Sequence, residues 1–516
     1  MASLTEIVTL LGALAIAAWL LGYLRRAKMV HLPLPPGPPR LPILGNTLDI
    51  PRASQVSPSQ AYLDMSRSLG SEIICLTTIG DPVIVLNSRT LIDDLLEGRS
   101  SIYSDRPWMT MLNELAGLDW TISILPYGEE WRLCRKMFQQ EITNAERNQS
   151  VQSRHTFGFM SRLLRSPEQF IDHIHLMSGA TMLDLTYALI PQSGEDRFVQ
   201  LAEQANQVLG ETANAGVYLV DAFPTLKHIP SWMPGAGFKR TAAKFRQISV
   251  GLLEEPFKDV KERISNGTVP DCAAVSLMET FGRDAEDAAH TEVVIKKTLA
   301  SIHGAGADTT ASTLSAFFLA MTLFPEVQYK AQRELDSVLS SGRFPELCDK
   351  PSLPYITAVV KESLRWKPVL PLDIVHRLMV DDHYHGYLLP RGSLVVANIR
   401  ALLYDEIVYP GPSRFNPDRF IKNGELDPNV PDPTTAAFGF GRRICPGRHF
   451  VQDLLWITFA SILTAFTISK AVDERGMEIT PDAADSPGLI SHPKPFQCKI
   501  RPRSNMHAEM VAAAAG

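Results

Sequence analysis

The feature that most constrains the fold is one long stretch with helical periodicity and no internal proline, from residue 291 to residue 324. Pro325 ends the stretch, because proline cannot continue a helix. At 1.5 Å per residue such a helix is about 50 Å long, which is enough to cross a large domain. The sequence therefore predicts a large domain with a long internal helix.

Two glycines lie inside this predicted helix, and each costs about 1 kcal/mol relative to alanine. Gly304 and Gly306 are followed closely by Asp308 and Thr309. In an ordinary helix, the threonine would bond back to a backbone carbonyl and the aspartate would be solvated. The glycines still require a reason, so a functional interpretation of this segment stays open beside the structural one.

A second feature is a cysteine in the run FGFGRRICPG, residues 438–447. Cys445 precedes an apolar, helix-like stretch that begins at Arg448, and a helix N-terminus stabilises a thiolate. Pro446 fits the preference of proline for the first turn of a helix. The three glycines of the run allow the backbone to approach a flat ligand closely. A buried, inert cysteine is the ordinary alternative.

The spacing of Phe438, Gly441, Arg443, Cys445 and Gly447 resembles the haem-binding loop of cytochromes P450. The resemblance implies that the Cys445 thiolate ligates the iron of haem b and that the other four residues contact the haem. It also implies the cytochrome P450 fold, which is mainly α with small β-sheets.

The same resemblance gives roles to the middle of the long helix. In cytochromes P450 this helix passes over the haem, and its small residues leave room for dioxygen and substrate. Asp308 and Thr309 are then the catalytic acid and alcohol that guide protons to the site of oxygen activation.

A carboxylate and a guanidinium share one face of the predicted helix 354–366. Glu362 and Arg365 are three residues apart, which is the spacing of a helical ion pair. The segment 415–420 resembles the P450 segment whose arginine joins that pair, and here the arginine is Arg419. The expected role of the three residues is structural, because they would fix the loop that carries Cys445.

Haem carries two propionates, which need charged donors when they are buried. Trp131 and Arg135 are four residues apart and face the same way on a helix. By resemblance, these two residues and Arg443 contact the propionates. His376 occupies the position of a further propionate contact, with the neighbouring Arg377 as the alternative.

The N-terminus predicts a membrane anchor over residues 1–30. Residues 7–24 form an uncharged run of 18 residues, followed at once by Arg25, Arg26 and Lys28. This charge pattern places the following domain on the cytoplasmic side. A cleaved signal peptide is the alternative, but the first six residues contain no Lys or Arg.

A stiff, proline-rich hinge is expected at residues 31–45, and a single catalytic domain at 46–516. In microsomal cytochromes P450 this arrangement belongs to the endoplasmic reticulum membrane, with the catalytic domain in the cytosol. The apolar segment 223–234 contains three prolines and is either a second membrane contact or an ordinary packed loop.

Charge and cysteine content limit the partners. The net charge of −6 is unlike that of a nucleic-acid-binding protein, and the six cysteines show no metal-ligand spacing or disulfide framework. Arg132, Lys136 and Arg448 suggest a positive patch on the cysteine side of the haem. Such a patch suits an acidic electron-transfer partner, and solvated surface charge is the alternative. The resemblance implies that the electron donor is NADPH-cytochrome P450 reductase, with cytochrome b5 as a second partner.

The expected function is haem-thiolate monooxygenation of a lipophilic small molecule. Candidate pocket walls are residues 109–120, 299–303, 369–375 and 488–491. The segments resemble cytochromes P450 of mushroom-type fungi, which favours a terpenoid of secondary metabolism. An indole or a polyketide-derived aromatic is the second choice. A reductase-independent isomerase or dehydratase, or a haem protein without turnover, is the alternative class.

Overall fold

The computed structural model describes residues 32–51, 57–213, 217–282, 287–339, 342–486 and 488–514. The anchor predicted for residues 1–30 lies outside this part of the chain. Among the described helices, none by itself has the length and apolar character needed to cross a membrane. The helices 288–323 and 325–338 meet those criteria only together, across a bend of 103°.

The described residues form twelve α-helices of ten or more residues. They are α1 (Pro58–Leu69), α2 (Glu129–Ile142), α3 (Ala145–Arg165), α4 (Phe170–Tyr187), α5 (Arg197–Thr212), α6 (Gly237–Ser265), α7 (Ala273–Gly282), α8 (Ala288–Leu323), α9 (Pro325–Val338), α10 (Pro354–Trp366), α11 (Arg448–Ala465) and α12 (Asn505–Ala514). Shorter helical segments are Arg89–Ile92, Asp93–Gly98, Ser100–Tyr103, Thr110–Leu115, Pro167–Gln169, Leu219–Ala222, Pro224–His228, Leu347–Ser352, Ile399–Leu403, Pro417–Phe420, Thr434–Ala437 and Gly441–Arg443.

The strands are short and form four small sheets. They are β1 (Ile73–Leu76), β2 (Val83–Leu86), β3 (His376–Arg377), β4 (Asp382–Tyr384), β5 (Tyr387–Leu389), β6 (Leu394–Ala397), β7 (Ile421–Lys422), β8 (Glu425–Leu426), β9 (Phe466–Val472), β10 (Glu478–Ile479) and β11 (Cys498–Pro502). The largest sheet has the order β1-β2-β6-β3, and β6 runs parallel to β2. The mainly helical fold with small sheets that the resemblance implies is confirmed.

The long central helix is confirmed as α8. Asp287 caps its first turn by accepting the His290 N–H at 3.0 Å, and Pro325 follows its end. Apart from its first turns, most of α8 is buried, in keeping with a helix that is apolar all round. It packs against α4, α2, α5 and α6, and on α11 Phe459 stacks on Phe317 at 3.9 Å. A large domain therefore surrounds α8.

The proline-rich segment lies against the first sheet. The Cys75 N–H donates to the carbonyl of Pro36 at 2.8 Å, and the Leu388 N–H donates to that of Pro33 at 2.9 Å. These bonds fix the described part of the predicted hinge to the domain. All six cysteines are free.

Candidate active site

The cysteine loop, residues 438–447, ends where α11 begins. The Cys445 N–H donates to the carbonyl of Phe438 at 2.8 Å, which closes the loop. Gly447 is the N-cap of α11, so Pro446 precedes the cap. The expectation that Pro446 lies in the first helical turn is therefore wrong. The chain turns here so that the helix N-terminus faces the sulfur.

The environment of the sulfur suits a metal cation. Burial raises the pKa of the Cys445 thiol, while a backbone hydrogen bond from Gly447 and the charges of Arg135 and Arg448 lower it. Because burial raises the pKa of a thiol that is already neutral near pH 7, Cys445 is a thiol by itself, and a bound cation would shift the balance to the thiolate.

The glycines of the loop serve different purposes. Gly441 has φ +56°, and a Cβ there would lie 2.1 Å from the carbonyl oxygen of Leu96. Glycine is therefore required here by the chain's own backbone, and contact of Gly441 with the haem stays a prediction. Gly439 also has a left-handed φ, of +74°. Gly447 has an ordinary φ of −83°, and its Cβ would lie 3.9 Å from the Cys445 sulfur. Of the three, Gly447 is the one that borders the ligand side.

Trp131, Arg135 and Arg443 come together beside the loop. The Arg443 guanidinium lies over the Trp131 ring at 4.5 Å, and Arg135 donates to the Ile444 carbonyl at 2.5 Å. Arg443 also donates to the carbonyls of Ser104 and Leu125, both at 2.7 Å. The two residues on α2 are thus joined to the cysteine loop.

Sequence reasoning missed Arg106, which belongs to the same cluster. This buried arginine donates to the carbonyls of Ser123 at 2.8 Å and Val375 at 2.9 Å. Burial lowers its pKa to about 10, and the charges of Asp373 and Asp105 offset part of that effect. Arg106 lies in an irregular segment without periodicity, so no sequence signal marked it.

The guanidiniums of Arg106 and Arg135 both repel that of Arg443. Burial, then the charge of Arg106, lowers the pKa of Arg443 to about 8, and Arg135 adds to the effect. A crowded, partly buried set of cations is stabilised by an anion with several oxygens. The donor set therefore fits the two propionates of haem.

His376 is engaged on the protein side. Its Nδ1 lies 2.7 Å from the Tyr103 carbonyl, and its Nε2 lies 3.0 Å from Asp373. Burial and the charge of Arg106 lower the pKa of His376. Burial raises the pKa of Asp373, but His376 and Arg106 lower it by more, so the pKa of Asp373 is below its ordinary value. Both ring nitrogens are thus engaged by protein groups, and a propionate contact from His376 or Arg377 stays a prediction.

Ala305 and Thr309 form the accessible patch in the middle of α8. Ala305 is exposed and Thr309 half-buried, although the helix is buried on either side of them. The two residues are four apart and share a face. The Thr309 hydroxyl donates to the Ala305 carbonyl at 2.8 Å, so the ordinary helical back-bond is present on the accessible face. Asp308 lies 3.3 Å from the ring of His492.

The helix glycines are explained by packing. A Cβ on Gly306 would lie 2.2 Å from the Met182 sulfur, so glycine is needed for the close approach of α4 to α8. A Cβ on Gly304 would lie 3.4 Å from Leu252, which is ordinary contact. The space expected from these glycines is thus taken by protein, and Ala305 is the small residue on the open face.

The predicted ion cluster is present. Glu362 accepts two bonds from Arg365, at 2.7 and 2.8 Å, and Arg419 lies 3.2 Å from the same carboxylate. The Asn416 N–H donates to Glu362 at 2.7 Å. The cluster joins α10 to the segment 415–420, while its role in fixing the cysteine loop stays a prediction.

A small, mainly apolar cavity lies between the segments around residues 106–109, 124, 213, 374–375 and 489. Residues from three of the four predicted walls line it: Met109, Ile374, Val375 and Leu489. The wall at 299–303 divides, because Ala300 faces the apolar cluster while His303 packs edge-on against Tyr187 at 6.1 Å. Among the described residues that line the cavity, Arg106 is the only charged one.

Comparison with known proteins agrees with these features. The family model described as Cytochrome P450 matches residues 35–500. A cytochrome P450 monooxygenase of Armillaria gallica is 40% identical, covering 97% of this chain and 99% of its own length. Cytochrome P450 monooxygenase 98 of Postia placenta is 41% identical, and the match covers 98% of this chain and 97% of that protein. Tryptamine 4-monooxygenase of Psilocybe cyanescens is 39% identical, with 96% and 98% covered.

The chain therefore belongs to the cytochrome P450 family, and its enzyme class is cytochrome P450 monooxygenase. Membership implies a haem whose iron carries a cysteine thiolate, and Cys445 is the cysteine in the matching loop. Bound there, haem supplies activation of dioxygen and insertion of one oxygen atom into a substrate.

Proposed function

We propose that this enzyme hydroxylates an apolar small molecule, with a terpenoid as the preferred class. The observation that carries the proposal is that apolar side chains from separate segments, Met109, Ile124, Ile374 and Leu489, meet around one small cavity of about 20 Å³. The donors of Arg106 are directed to backbone carbonyls, so the lining offers a substrate little specific polar recognition. A hydrocarbon-rich substrate fits such a wall best.

The residues of the site divide the work. Cys445 would ligate the iron of a bound haem, while Trp131, Arg135 and Arg443 would contact its propionates. Asp308 and Thr309 hold and move protons on the open face of α8. The apolar walls orient the substrate and keep water away from it, and that shielding strengthens charge interactions inside the site.

An indole is the second candidate, because one relative is named tryptamine 4-monooxygenase. A protonated amine needs a carboxylate partner, and no Asp or Glu is among the residues given for the cavity lining. A neutral indole thus fits this cavity better than a charged tryptamine.

The test is a substrate panel on the purified holoenzyme. The reduced carbon-monoxide difference spectrum first checks thiolate ligation of the haem. Optical binding titrations then compare a sesquiterpene hydrocarbon, indole and tryptamine, followed by turnover with NADPH and reductase. A hydroxylated terpene as the main product supports the proposal, and tight binding of tryptamine alone contradicts it. Product formation without NADPH would instead favour the isomerase or dehydratase class.

We propose NADPH-cytochrome P450 reductase as the electron donor, with cytochrome b5 as an auxiliary partner. Arg132 and Lys136 are exposed on α2, and Arg448 is partly exposed beside Cys445. Such a patch suits an acidic partner surface. Charge reversal at Lys136 should lower the rate of reduction by reductase and weaken its dependence on salt. An unchanged rate would contradict this docking surface.

We also propose attachment to the endoplasmic reticulum membrane through residues 1–30, with the catalytic domain on the cytosolic side. A second contact is supported by exposed apolar side chains in the segment 219–233. Trp232 is 80% exposed, and Leu219, Phe223 and Met233 are exposed as well. Protein lacking residues 1–30 should still bind liposomes and should lose binding on Trp232→Ser. Retained binding of that variant would contradict the second contact.

A further inference from the structure

Asp308 has a partner that the family assignment does not supply. The Nε2 atom of His492 lies 3.3 Å from its carboxylate, and both side chains are mostly buried. The two residues are far apart in the sequence, and His492 comes from the loop 488–494 near the C-terminus. A titratable ring therefore stands directly behind the carboxylate on the open face of α8.

The backbone around His492 is fixed from two sides. The Ser312 hydroxyl on α8 donates to the carbonyl of Ser491 at 2.5 Å. The Ser486 N–H donates to the carbonyl of His492 at 2.7 Å. Because these bonds tie the loop to α8 and to the preceding segment, the ring is held next to Asp308.

A second histidine continues the line outward. The ring of His175, on α4, is stacked with that of His492, with centroids 6.3 Å apart and planes inclined by 19°. Its Nδ1 lies 3.4 Å from Glu203 on α5. The side chains become more accessible along this line, from 17% for Asp308 and 26% for His492 to 30% for His175 and 35% for Glu203.

The charges around the two rings favour the protonated form of His175. Burial lowers the pKa of His175, but the hydrogen bond and charge of Glu203, together with the charges of Asp308 and Asp172, raise it overall. The titratable groups given around the two rings come from α8 (Asp308), α4 (Asp172) and α5 (Glu203). All three are acids, so the pair of rings lies between carboxylates.

We propose that His492 is the proton donor to Asp308, and that His175 and Glu203 form the entry by which His492 is reprotonated from the surface. The proposal rests on the proposed role of Asp308. In the step, the Nε2–H bond of His492 breaks and an O–H bond forms on Asp308, which leaves His492 neutral. The N–H bond of His175 then breaks as a solvent molecule carries its proton to His492, and His175 takes a proton back from bulk water beside Glu203. No electron moves in this exchange.

The first test measures the coupling without turnover. Holoenzyme labelled with ¹³C at the histidine Cε1 atoms gives the resonance of His492 by nuclear magnetic resonance, with the signal assigned by its loss in His492→Gln. At one fixed pH, Asp308→Asn should shift that resonance, because the carboxylate beside the ring is removed. An unchanged resonance would overturn the proposal.

The second test separates proton transfer from simple ion pairing. His492→Gln removes the titrating group, whereas His492→Arg keeps a positive charge beside Asp308 but does not release its proton. Both variants should lower product formed per NADPH consumed by about tenfold or more. A His492→Arg enzyme with wild-type rate and pH profile would reduce His492 to an ion-pair partner and overturn the proposal.

Controls keep the outcomes distinct. His290→Gln alters an exposed histidine at the start of α8 and should leave rate and pH profile unchanged. Haem content and the carbon-monoxide spectrum show that each variant is assembled. If the wild type fails to oxidise any substrate, the proposed function fails, whereas the resonance shift still decides the link between His492 and Asp308.

Discussion

Glu362 and Arg365 form an ion pair in which both side chains are 0% exposed. Both oxygens of the carboxylate are bonded to the guanidinium, at 2.7 and 2.8 Å, and the rings of Tyr404 and Tyr409 lie 5.6 and 5.7 Å from it. Arg419 shares the same carboxylate at 3.2 Å. Removing the one anion would leave two guanidiniums buried without a counter-charge.

The first prediction concerns this carboxylate. Breaking a buried pair by removing one partner costs about 3–5 kcal/mol, because a charge is left uncompensated. Glu362→Gln should therefore yield protein with little or no bound haem. The measurement is haem content per polypeptide, followed by the carbon-monoxide spectrum.

A matched control is available on the surface. Glu326 and Arg414 lie 3.1 Å apart with side chains 56% and 68% exposed, so Glu326→Gln should cost no more than about 1 kcal/mol and leave haem content unchanged. A Glu362→Gln enzyme with full haem and full activity would contradict the structural role.

The second prediction concerns the cysteine loop. A Cβ at Gly441 meets the Leu96 carbonyl oxygen at 2.1 Å, and backbone cannot yield as a flexible side chain does. Gly441→Ala should thus displace the loop and sharply lower haem content. Gly439→Ala is the comparison, because its φ of +74° is strained but its Cβ would lie 3.6 Å from Asp373. It should cost only about 1–3 kcal/mol, and equal haem loss in both variants would refute the distinction.

Local patterns predicted much of the fold and the site. The bounds of α8, the start of α11 at Arg448 and the pair Glu362–Arg365 follow from periodicity, proline positions and helical spacing. Contacts between distant segments did not follow in the same way. Arg106 in an irregular turn and His492 near the C-terminus reach the site only through tertiary packing, and no spacing rule connects them with Asp373 or Asp308.

The sequence also could not show which atoms lie against particular glycines. A helix-interior glycine predicts that something approaches closely, but it does not say what. At Gly306 the neighbour is Met182, and at Gly441 it is the Leu96 carbonyl. In both cases the atom that an added Cβ would meet belongs to the protein itself.

The third prediction tests the helix glycines. Gly306→Ala places a Cβ 2.2 Å from the Met182 sulfur and 2.7 Å from its Cγ, so α4 and α8 must separate or repack. Overpacking of this kind costs about 1–3 kcal/mol. Gly304→Ala meets only Leu252 at 3.4 Å and should be neutral or stabilising by up to about 1 kcal/mol. Thermal unfolding checks both. In a Met182→Ala background, Gly306→Ala should cost little further stability, and an undiminished cost there would contradict the packing explanation.

The fourth prediction concerns His303, which is fully buried on α8 and packs edge-on against Tyr187. Neither of its ring nitrogens has a hydrogen-bond partner among the described residues. Burial alone lowers its pKa from 6.5 to about 3. The folded protein therefore holds this histidine neutral at pH values where the unfolded chain protonates it.

The sign of the effect follows from that difference. Above pH 6.5 neither state binds the proton, so the contribution to stability is constant; as the pH falls from 6.5 towards 3, the unfolded chain gains a proton and stability is lost. Between pH 7 and pH 5 the wild type should lose about 2 kcal/mol more than His303→Leu, since one pKa unit corresponds to about 1.36 kcal/mol. Urea unfolding followed by circular dichroism at the two pH values measures this difference. His290→Leu, at an exposed position, should keep the wild-type dependence. Parallel pH dependences for the wild type and His303→Leu would show that His303 is not the group that makes folding sensitive to acid.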